Sequence, residues 1–331
     1  NISVEDEIFP NKSFPDSKVK EYGLFIQDRI SLLEGQYEII AGLRYDHYKL
    51  SPKAGSAFES ANGVAAPVSM SKGRLSKRLA FLWHPSEEQT VFLNYSEGFK
   101  APSFSAVNMG FGKAEYNYTS RSNPNLKPES SKSLELGWNY IDDSKSFAVT
   151  GFYTKYNNFI EEQVCTENCS GGTGVMVFES INLNKSYIYG LEAKASMDLF
   201  SVQNGSGMVG FNASLAYAKG KEKDGTKAPI NSIEPLTATF GIDYAYLDQF
   251  YITGRLKAVA AKKENDINTK QLDAMRAGEV GRTAGYATFD IIAEYKPTRD
   301  ITINGGLYNI FDKKYITWGN RQLARTTGDE N

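Results

Sequence analysis

One stretch of the chain gathers side chains that could hold a metal centre and an anion. Met109, Tyr116 and Tyr118 lie in it, and Arg121 follows shortly after. A tyrosinate or a methionine thioether can coordinate iron, and a guanidinium binds a carboxylate through two parallel hydrogen bonds. We predict that these four side chains form a ligand-binding surface. Aromatic packing for the tyrosines and a surface ion pair for Arg121 are the alternative roles.

The two cysteines of the chain, Cys165 and Cys169, lie four residues apart at the start of a stretch rich in glycine and serine. They could close a small disulfide loop, as cysteines do in proteins that fold in an oxidising compartment. Two free thiols are the alternative. We assign no metal site to the two cysteines, because neither His47 nor His84 lies near them in the sequence.

Motifs of catalysis are absent from the sequence. The chain has no glycine-rich phosphate loop after a strand, no histidine cluster and no GxSxG segment, and its acidic residues are scattered. We therefore assign no catalytic residues and predict that the protein is not an enzyme. The formal net charge of -2 also gives no electrostatic footprint for a nucleic acid.

Short strands are the elements that must position the candidate residues. Between residues 236 and 246, and again between 250 and 260, apolar side chains alternate with polar or small ones. One face of such a strand suits hydrocarbon and the other suits water. The chain has no apolar run near the roughly 18 residues that a spanning helix needs. We predict an all-β protein, a transmembrane antiparallel β-barrel.

About twelve strands are predicted from this alternation. Their spans are 22–33, 36–50, 75–84, 89–99, 131–141, 145–160, 188–200, 208–219, 236–247, 250–262, 285–296 and 300–317.

Short and long connections alternate between these strands, with short turns such as 142–144. The long loops are 51–74, 100–130, 161–187, 220–235 and 263–284. In outer-membrane barrels the periplasmic turns are short and the extracellular loops are long. We therefore predict an outer-membrane location, with membrane lipid around the barrel. The lysine-rich runs 219–227 and 262–263 are expected to carry solvated charge, with lipopolysaccharide as a further possible contact.

Several motifs stand at fixed places along the predicted strands. The segment GFKAPSF begins at Gly98, NPNLKPE begins at Asn123 and NIFDKKY begins at Asn309, while the first two strands carry YGLFIQD and GLRYD. Together they resemble the barrel of a TonB-dependent outer-membrane receptor. The residues of the FKAP box and of the NPNL box are Phe99, Lys100, Ala101, Pro102, Asn123, Pro124, Asn125 and Leu126. They either shape the 100–130 loop or contact the ligand or a protein partner.

The resemblance implies a barrel of 22 strands behind an N-terminal plug. Aligned on NIFDKKY, the predicted strands resemble the tenth to the twenty-first of that barrel. Residues 1–331 are then expected to be the C-terminal portion of the barrel, here a partial barrel. The plug, the segment that contacts TonB, the early strands and the closing strand would lie outside the chain.

The two boxes, the segment FYTKYNNFIE at 152–161 and YITW at 315–318 resemble the haem and haemoglobin receptor branch of the family. This resemblance implies a receptor that binds haem or a haem protein and imports its iron-containing cargo with energy from the TonB complex. Haem or a ferric chelate would be the cargo, and no cofactor is required. The branch usually places a histidine between the two boxes, and this sequence has none there.

Three other functions remain open at this stage. A receptor for ferric catecholate siderophores would carry related boxes. A passive porin belongs to a different class, as does an adhesin, and neither would need an energised partner.

Overall fold

The computed structural model describes residues 14–53, 67–113, 118–169, 174–202, 206–223, 227–247, 249–268 and 281–323. Twelve long strands and two short ones are found in these ranges. They are β1 Asp16–Leu32, β2 Tyr37–Lys53, β3 Met70–Ser86, β4 Gln89–Lys100, β5 Phe111–Lys113, β6 Tyr118–Ser120, β7 Glu129–Ile141, β8 Lys145–Glu167, β9 Met176–Val202, β10 Gly207–Glu222, β11 Thr237–Tyr246, β12 Phe250–Val259, β13 Tyr286–Thr298 and β14 Ile301–Leu307.

The long strands form one antiparallel sheet in which each strand pairs with the next long strand along the chain. The short strands β5 and β6 pair with each other beside this path, and β6 also runs parallel to β9. Among the described strands, β1 and β14 each pair on one side only, so the sheet is open. The predicted all-β, antiparallel architecture of a partial barrel is confirmed.

Among the described residues, helical segments are few and short. They are α1 Phe104–Asn108, α2 Trp318–Leu323 and two single turns of 3₁₀-helix at Leu33–Gly35 and Glu264–Asp266. Within the described ranges, no helix has the length and apolar character that a membrane crossing requires.

Apolar rows on one face of the sheet remain exposed. In β7 the exposed fraction is 49% for Leu134, 59% for Leu136 and 37% for Trp138. The register continues this face into β8, where Trp138 pairs with Val149, which is 39% exposed. A soluble protein would bury such rows, and only the hydrocarbon of a bilayer can cover them here.

The hairpin of β8 and β9 is longer than the alternation predicts. The predicted loop 161–187 is largely strand, because β8 continues to Glu167 and β9 begins at Met176. The ladder persists there, for example between Val164 and Glu179. Beyond the bilayer both faces of a strand meet water or protein, so the alternation that marks a transmembrane strand disappears while backbone pairing continues. The loop prediction is therefore wrong for most of this segment.

The predicted last strand, 300–317, is also wrong in its second half, because β14 ends at Leu307. Asn309 follows with a φ of 48°, in the left-handed region that asparagine tolerates. Its side-chain Oδ1 accepts a hydrogen bond from the backbone N–H of Lys313 at 3.0 Å. The backbone N–H of Asn309 donates to Asp290 Oδ1 at 2.8 Å, so the NIFDK segment forms a turn against β13.

The two faces of the sheet should respond differently to the same charge. Leu215 lies on the apolar face of β10, and the next residue, Ala216, lies on the opposite face directly across from Glu192. We expect Leu215→Arg to lower the free energy of unfolding in phospholipid vesicles by about 2–4 kcal/mol, because the guanidinium enters hydrocarbon. The control Ala216→Arg should change it by less than about 1 kcal/mol. Equal losses in denaturant titrations of the two variants would contradict the assignment of the faces.

Candidate functional site

A hydrophobic cluster fixes the 100–130 loop against the outer ends of the strands. Leu50 of β2 and Val107 of α1 are both 0% exposed within it. The buried members of the cluster are Tyr48, Leu50, Met70, Ala106, Val107, Leu126 and Ile160. They come from β2, β3, α1, the NPNL box and β8, so the loop is anchored to several strands at once. A loop held in this way can present a defined surface.

Half of the FKAP box contributes to packing. Ala101 packs against the hydrophobic cluster, and Pro102 is fully buried. Phe99 and Lys100 end β4, and the Nζ of Lys100 lies 3.8 Å from Glu129 Oε2. The structure therefore gives Ala101 and Pro102 a role in shaping the loop and leaves the ammonium of Lys100 exposed.

The NPNL box divides in the same way. Leu126 is 3% exposed inside the hydrophobic cluster. Asn123 donates through Nδ2 to the carbonyl of Ser180 at 2.9 Å and accepts from the backbone N–H of Asn125 at 3.0 Å, which ties the box to β9 and forms an Asx turn. Pro124 and Asn125 are exposed. The exposed pair remains accessible to a ligand or partner.

Helix α1 holds Met109 in place. The Oγ of Ser103 accepts from the backbone N–H of Ala106 at 3.0 Å and caps the helix. Asn108 is 1% exposed and forms two hydrogen bonds with the backbone of Val68, at 2.8 and 3.0 Å. Met109 follows, half-buried. Asn108 was not foreseen from the sequence, because nothing in a lone asparagine reveals a backbone partner forty residues away.

The two candidate tyrosines are placed unequally. Tyr118 begins β6, where its backbone pairs with Lys113 of β5 and with Met176 of β9. Tyr116 lies outside the described residues. The backbone of Tyr118 is thus bound to the outer part of β9.

Arg121 is engaged in a network of two carboxylates. Its Nη2 lies 2.7 Å from Glu167 Oε1 and 2.8 Å from Glu179 Oε1, at the outer part of the β8–β9 hairpin. The hydrogen bond to Glu167, which has the larger effect, and the hydrogen bond to Glu179 both raise the pKa of the Arg121 guanidinium. The structure therefore shows the ion-pair role for Arg121, with both carboxylates taking the place of a ligand anion.

A disulfide joins Cys165 and Cys169 at the end of β8. It closes a short loop near the tip of the hairpin, where Asn168 also donates through Nδ2 to the carbonyl of Val175 at 3.0 Å. The disulfide constrains the end of β8, and the hydrogen bond of Asn168 ties this end to the start of β9.

His84 lies apart from the 100–130 loop, whereas His47 lines the same cavity as Lys100 and Ala101 of that loop. His47 stacks on Tyr22 with 5.0 Å between the ring centroids, and the Nδ1 of His84 lies 3.1 Å from Thr90 Oγ1. Among the described residues, no group of three or more histidine, cysteine, aspartate or glutamate side chains could hold a metal ion.

A polar cavity of about 540 Å³ opens beside the FKAP box. Its lining includes Arg44, Asp46 and Tyr48 of β2 together with Phe99 and Lys100. The guanidinium Nε of Arg44 donates to both carboxylate oxygens of Asp46, at 2.8 and 2.9 Å. With Lys100 exposed at its edge, this cavity could accept an anionic group.

Three other loops are joined by buried polar contacts. Lys262 donates through Nζ to the carbonyl of Ile233 at 2.6 Å and lies 5.0 Å from the ring centroid of Trp318. Trp318 donates through Nε1 to the carbonyl of Asn231 at 2.7 Å, and Asn231 donates to the carbonyl of Asn268 at 2.9 Å.

Lys262 departs from the expectation of solvated charge, which is wrong at this position because the residue is 5% exposed. Burial lowers the pKa of its ammonium, although Asp266 and Glu234 favour the charged form. A sequence pattern does not reveal this burial, since the partners come from separate loops.

An antiparallel sheet with apolar rows facing outward and anchored loops at one end defines a β-barrel of the outer membrane. The chain belongs to the family described as TonB dependent receptor-like, beta-barrel, whose model matches residues 1–310. This family is a class of transporters and receptors.

Two curated relatives are similar over most of the chain. The chain is 28% identical over 316 residues to the hemoglobin-haptoglobin utilization protein B of Neisseria meningitidis serogroup C, covering 89% of the chain and 39% of that protein. It is 30% identical over 264 residues to the hemoglobin-binding protein A of Haemophilus influenzae, covering 75% of the chain and 25% of that protein. The chain thus spans well under half the length of these relatives.

Solved structures share the fold. The copper transporter OprC superposes with a TM-score of 0.71 at 23% identity, covering 91% of the chain and 43% of that structure. The FrpB iron transporter from Neisseria meningitidis, in its F3-3 variant, gives a TM-score of 0.62 at 16% identity, covering 93% and 43%. At these identities the likeness establishes the barrel fold alone.

Anchoring of the 100–130 loop should depend on Leu126. We expect Leu126→Ala to cost about 2–5 kcal/mol of local packing, because it leaves a cavity in the hydrophobic cluster. Protease added to intact cells should then cleave this loop faster than in the parent. The control Pro124→Ala changes an exposed residue of the same box and should leave the cleavage rate unchanged. An equally resistant Leu126→Ala loop would show that the cluster does not hold it.

Proposed function

We propose that the chain is the C-terminal portion of the barrel of a TonB-dependent receptor that binds haem or a haem protein at the cell surface. The observation that carries this proposal is the similarity to haemoglobin-binding relatives over 89% and 75% of the chain. The bound cargo would be haem or a ferric chelate, and the TonB complex would supply the energy for import through a plug domain.

The outer part of the β8–β9 hairpin supports a protein-sized partner. β9 has 27 residues, which at about 3.3 Å per residue reach about 90 Å. A tilted transmembrane strand needs only about 9–11 residues to cross the hydrocarbon core. The remainder, joined to β6 and closed by the disulfide, offers an extended surface beyond the bilayer. Such a surface suits contact with a folded protein better than capture of a small chelate.

Haem itself would be held by residues of the 100–130 loop. Met109, Tyr116 and Tyr118 offer ligands for iron in place of the histidine that the haem receptor branch usually carries. Lys100, exposed at the edge of the polar cavity, offers a cation for a propionate of haem, whereas Arg44 of the same cavity is paired with Asp46. Arg121 contributes indirectly, because its ion pairs hold the segment against the hairpin.

The phenol groups give a direct test of this proposal. In cells whose iron must come from haemoglobin, the paired change Tyr116→Phe and Tyr118→Phe should slow growth about tenfold or more, since a lost iron ligand is worth more than an ordinary hydrogen bond. The haem absorption spectrum of the purified receptor should shift at the same time. Tyr153→Phe is the matched control, because Tyr153 lies on the apolar face of β8.

Three outcomes are informative beyond the expected one. Unchanged growth and an unchanged spectrum in the paired variant would discard the ligand role of the tyrosines. Growth of the parent on a ferric siderophore but not on haem or haemoglobin would replace the proposed cargo with a siderophore. Uptake that persists without TonB would indicate a passive porin.

A further inference from the structure

Four charged side chains lie side by side at the outer part of the apolar face. Lys132 of β7 pairs directly with Glu97 of β4 on one side and with Lys155 of β8 on the other. Lys77 of β3 precedes Arg78, whose partner is Ser96, so Lys77 lies next to Glu97. Across four neighbouring strands the order of charges is positive, negative, positive, positive. We call this set the outer lysine patch.

The outer lysine patch faces the lipid. Residues two positions away on a strand share its face, and the apolar neighbours of the patch are exposed there. Leu79 is 53% exposed beside Lys77, and Leu134 is 49% exposed beside Lys132. The Nζ of Lys155 lies 5.6 Å from the ring centroid of Tyr153, which is itself 40% exposed on this face.

The position of the patch along the strands places it at the outer boundary of the hydrocarbon. Lys132 lies about ten residues from the turn at Asp142, and Lys155 lies about ten residues from the start of β8, against the roughly 9–11 residues that cross the hydrocarbon core. Tyr153 lies two residues nearer the centre of the membrane, in the interfacial region where an aromatic ring that keeps its hydroxyl group in water is favoured. The ammonium groups therefore reach the level of the lipid head groups.

The four side chains of the outer lysine patch carry three positive charges and one negative charge. Glu97 is the acidic member, and its Oε1 lies 3.7 Å from Lys132 Nζ and 2.8 Å from the hydroxyl of Tyr95. Among the described residues, neither Lys77 nor Lys155 forms a salt bridge within 4 Å, although Lys77 interacts electrostatically with Glu97 over a longer distance. Like charges placed directly opposite each other, as in Lys132 and Lys155, destabilise an antiparallel pair. An anion between these two ammonium groups would turn the repulsion into an attraction.

We propose that the outer lysine patch binds the phosphate-bearing head group of lipopolysaccharide in the outer leaflet. Lys132 and Lys155 hold one phosphate between them, and Lys77 adds a third cation two strands away. Lipid is the occupant because the patch lies on the lipid-facing side of the sheet, at the height of the lipid head groups. The glycolipid head group supplies the negative charge that the protein lacks at this height.

The test measures binding of purified lipopolysaccharide to the receptor in phosphatidylcholine vesicles. We expect Lys132→Gln combined with Lys155→Gln to weaken the affinity roughly 25-fold, at about fivefold for each ammonium removed. Lys132→Arg with Lys155→Arg should retain most of the affinity. Lys145→Gln is the matched control, because Lys145 begins the same strand at the opposite boundary of the membrane.

Several results would overturn the proposal. They are an unchanged affinity in the double glutamine variant, an equal loss in Lys145→Gln, and equally tight binding of lipopolysaccharide whose phosphates have been removed. Displacement of the lipid by inorganic phosphate at equal concentration would also overturn it, since the patch would then be a general anion site.

A stability measurement covers the case in which the double variant folds poorly. In vesicles of phosphatidylcholine alone, Lys155→Gln should be at least as stable as the parent, because the repulsion from Lys132 is relieved. In vesicles that contain lipopolysaccharide the parent should be the more stable of the two, because the bound phosphate stabilises only its fold. The same order of stability in both vesicles would contradict a lipid-binding role.

Discussion

The structure depends on one constraint, which is that every backbone N–H and C=O group inside hydrocarbon must be paired within the protein. The continuous antiparallel path from β1 to β14 meets this requirement for the described strands, since each long strand is bonded to its neighbour along the chain. The alternation of side chains follows from the same ladder, because successive residues of a strand point to opposite faces. Apolar rows such as the one that contains Leu134 and Leu136 are therefore exposed on the protein surface, as the lipid-facing side of a membrane barrel requires.

Outside the bilayer the constraint is relaxed, and the loops need other means of holding their shape. The hydrophobic cluster around Leu50 and Val107 is one solution, in which a loop brings its own core to the strand ends. The buried polar contacts around Lys262 and Trp318 are a second solution, in which hydrogen bonds and a cation–π contact link three loops. A binding surface built on such loops is held in advance, which lowers the entropy that a partner must overcome on binding.

The sequence predicts the transmembrane part of the fold well, because a strand with lipid on one face must alternate apolar and polar side chains. The prediction fails outside the membrane, where strands carry no such alternation. The ladder of Val164 with Glu179 continues in water, where no alternation reports it, and the strand predicted through Asn309 ends because its side chain bonds to the backbone of Lys313. At the site, the boxes could be located from their prolines and asparagines, but the partners of Asn108 and Lys262 come from distant loops that a single sequence does not bring together.

Neighbouring residues of one strand serve two separate environments at the outer boundary. Lys132 and Lys155 point toward lipid, while the next residues, Ser133 and Thr154, face the other side with their hydroxyl oxygens 2.8 Å apart. The backbone of β7 between them is paired with β4 on one side and with β8 on the other. The sheet therefore separates the lipid-facing charges from the hydroxyl groups of the opposite face, although the two sets alternate along β7 and β8.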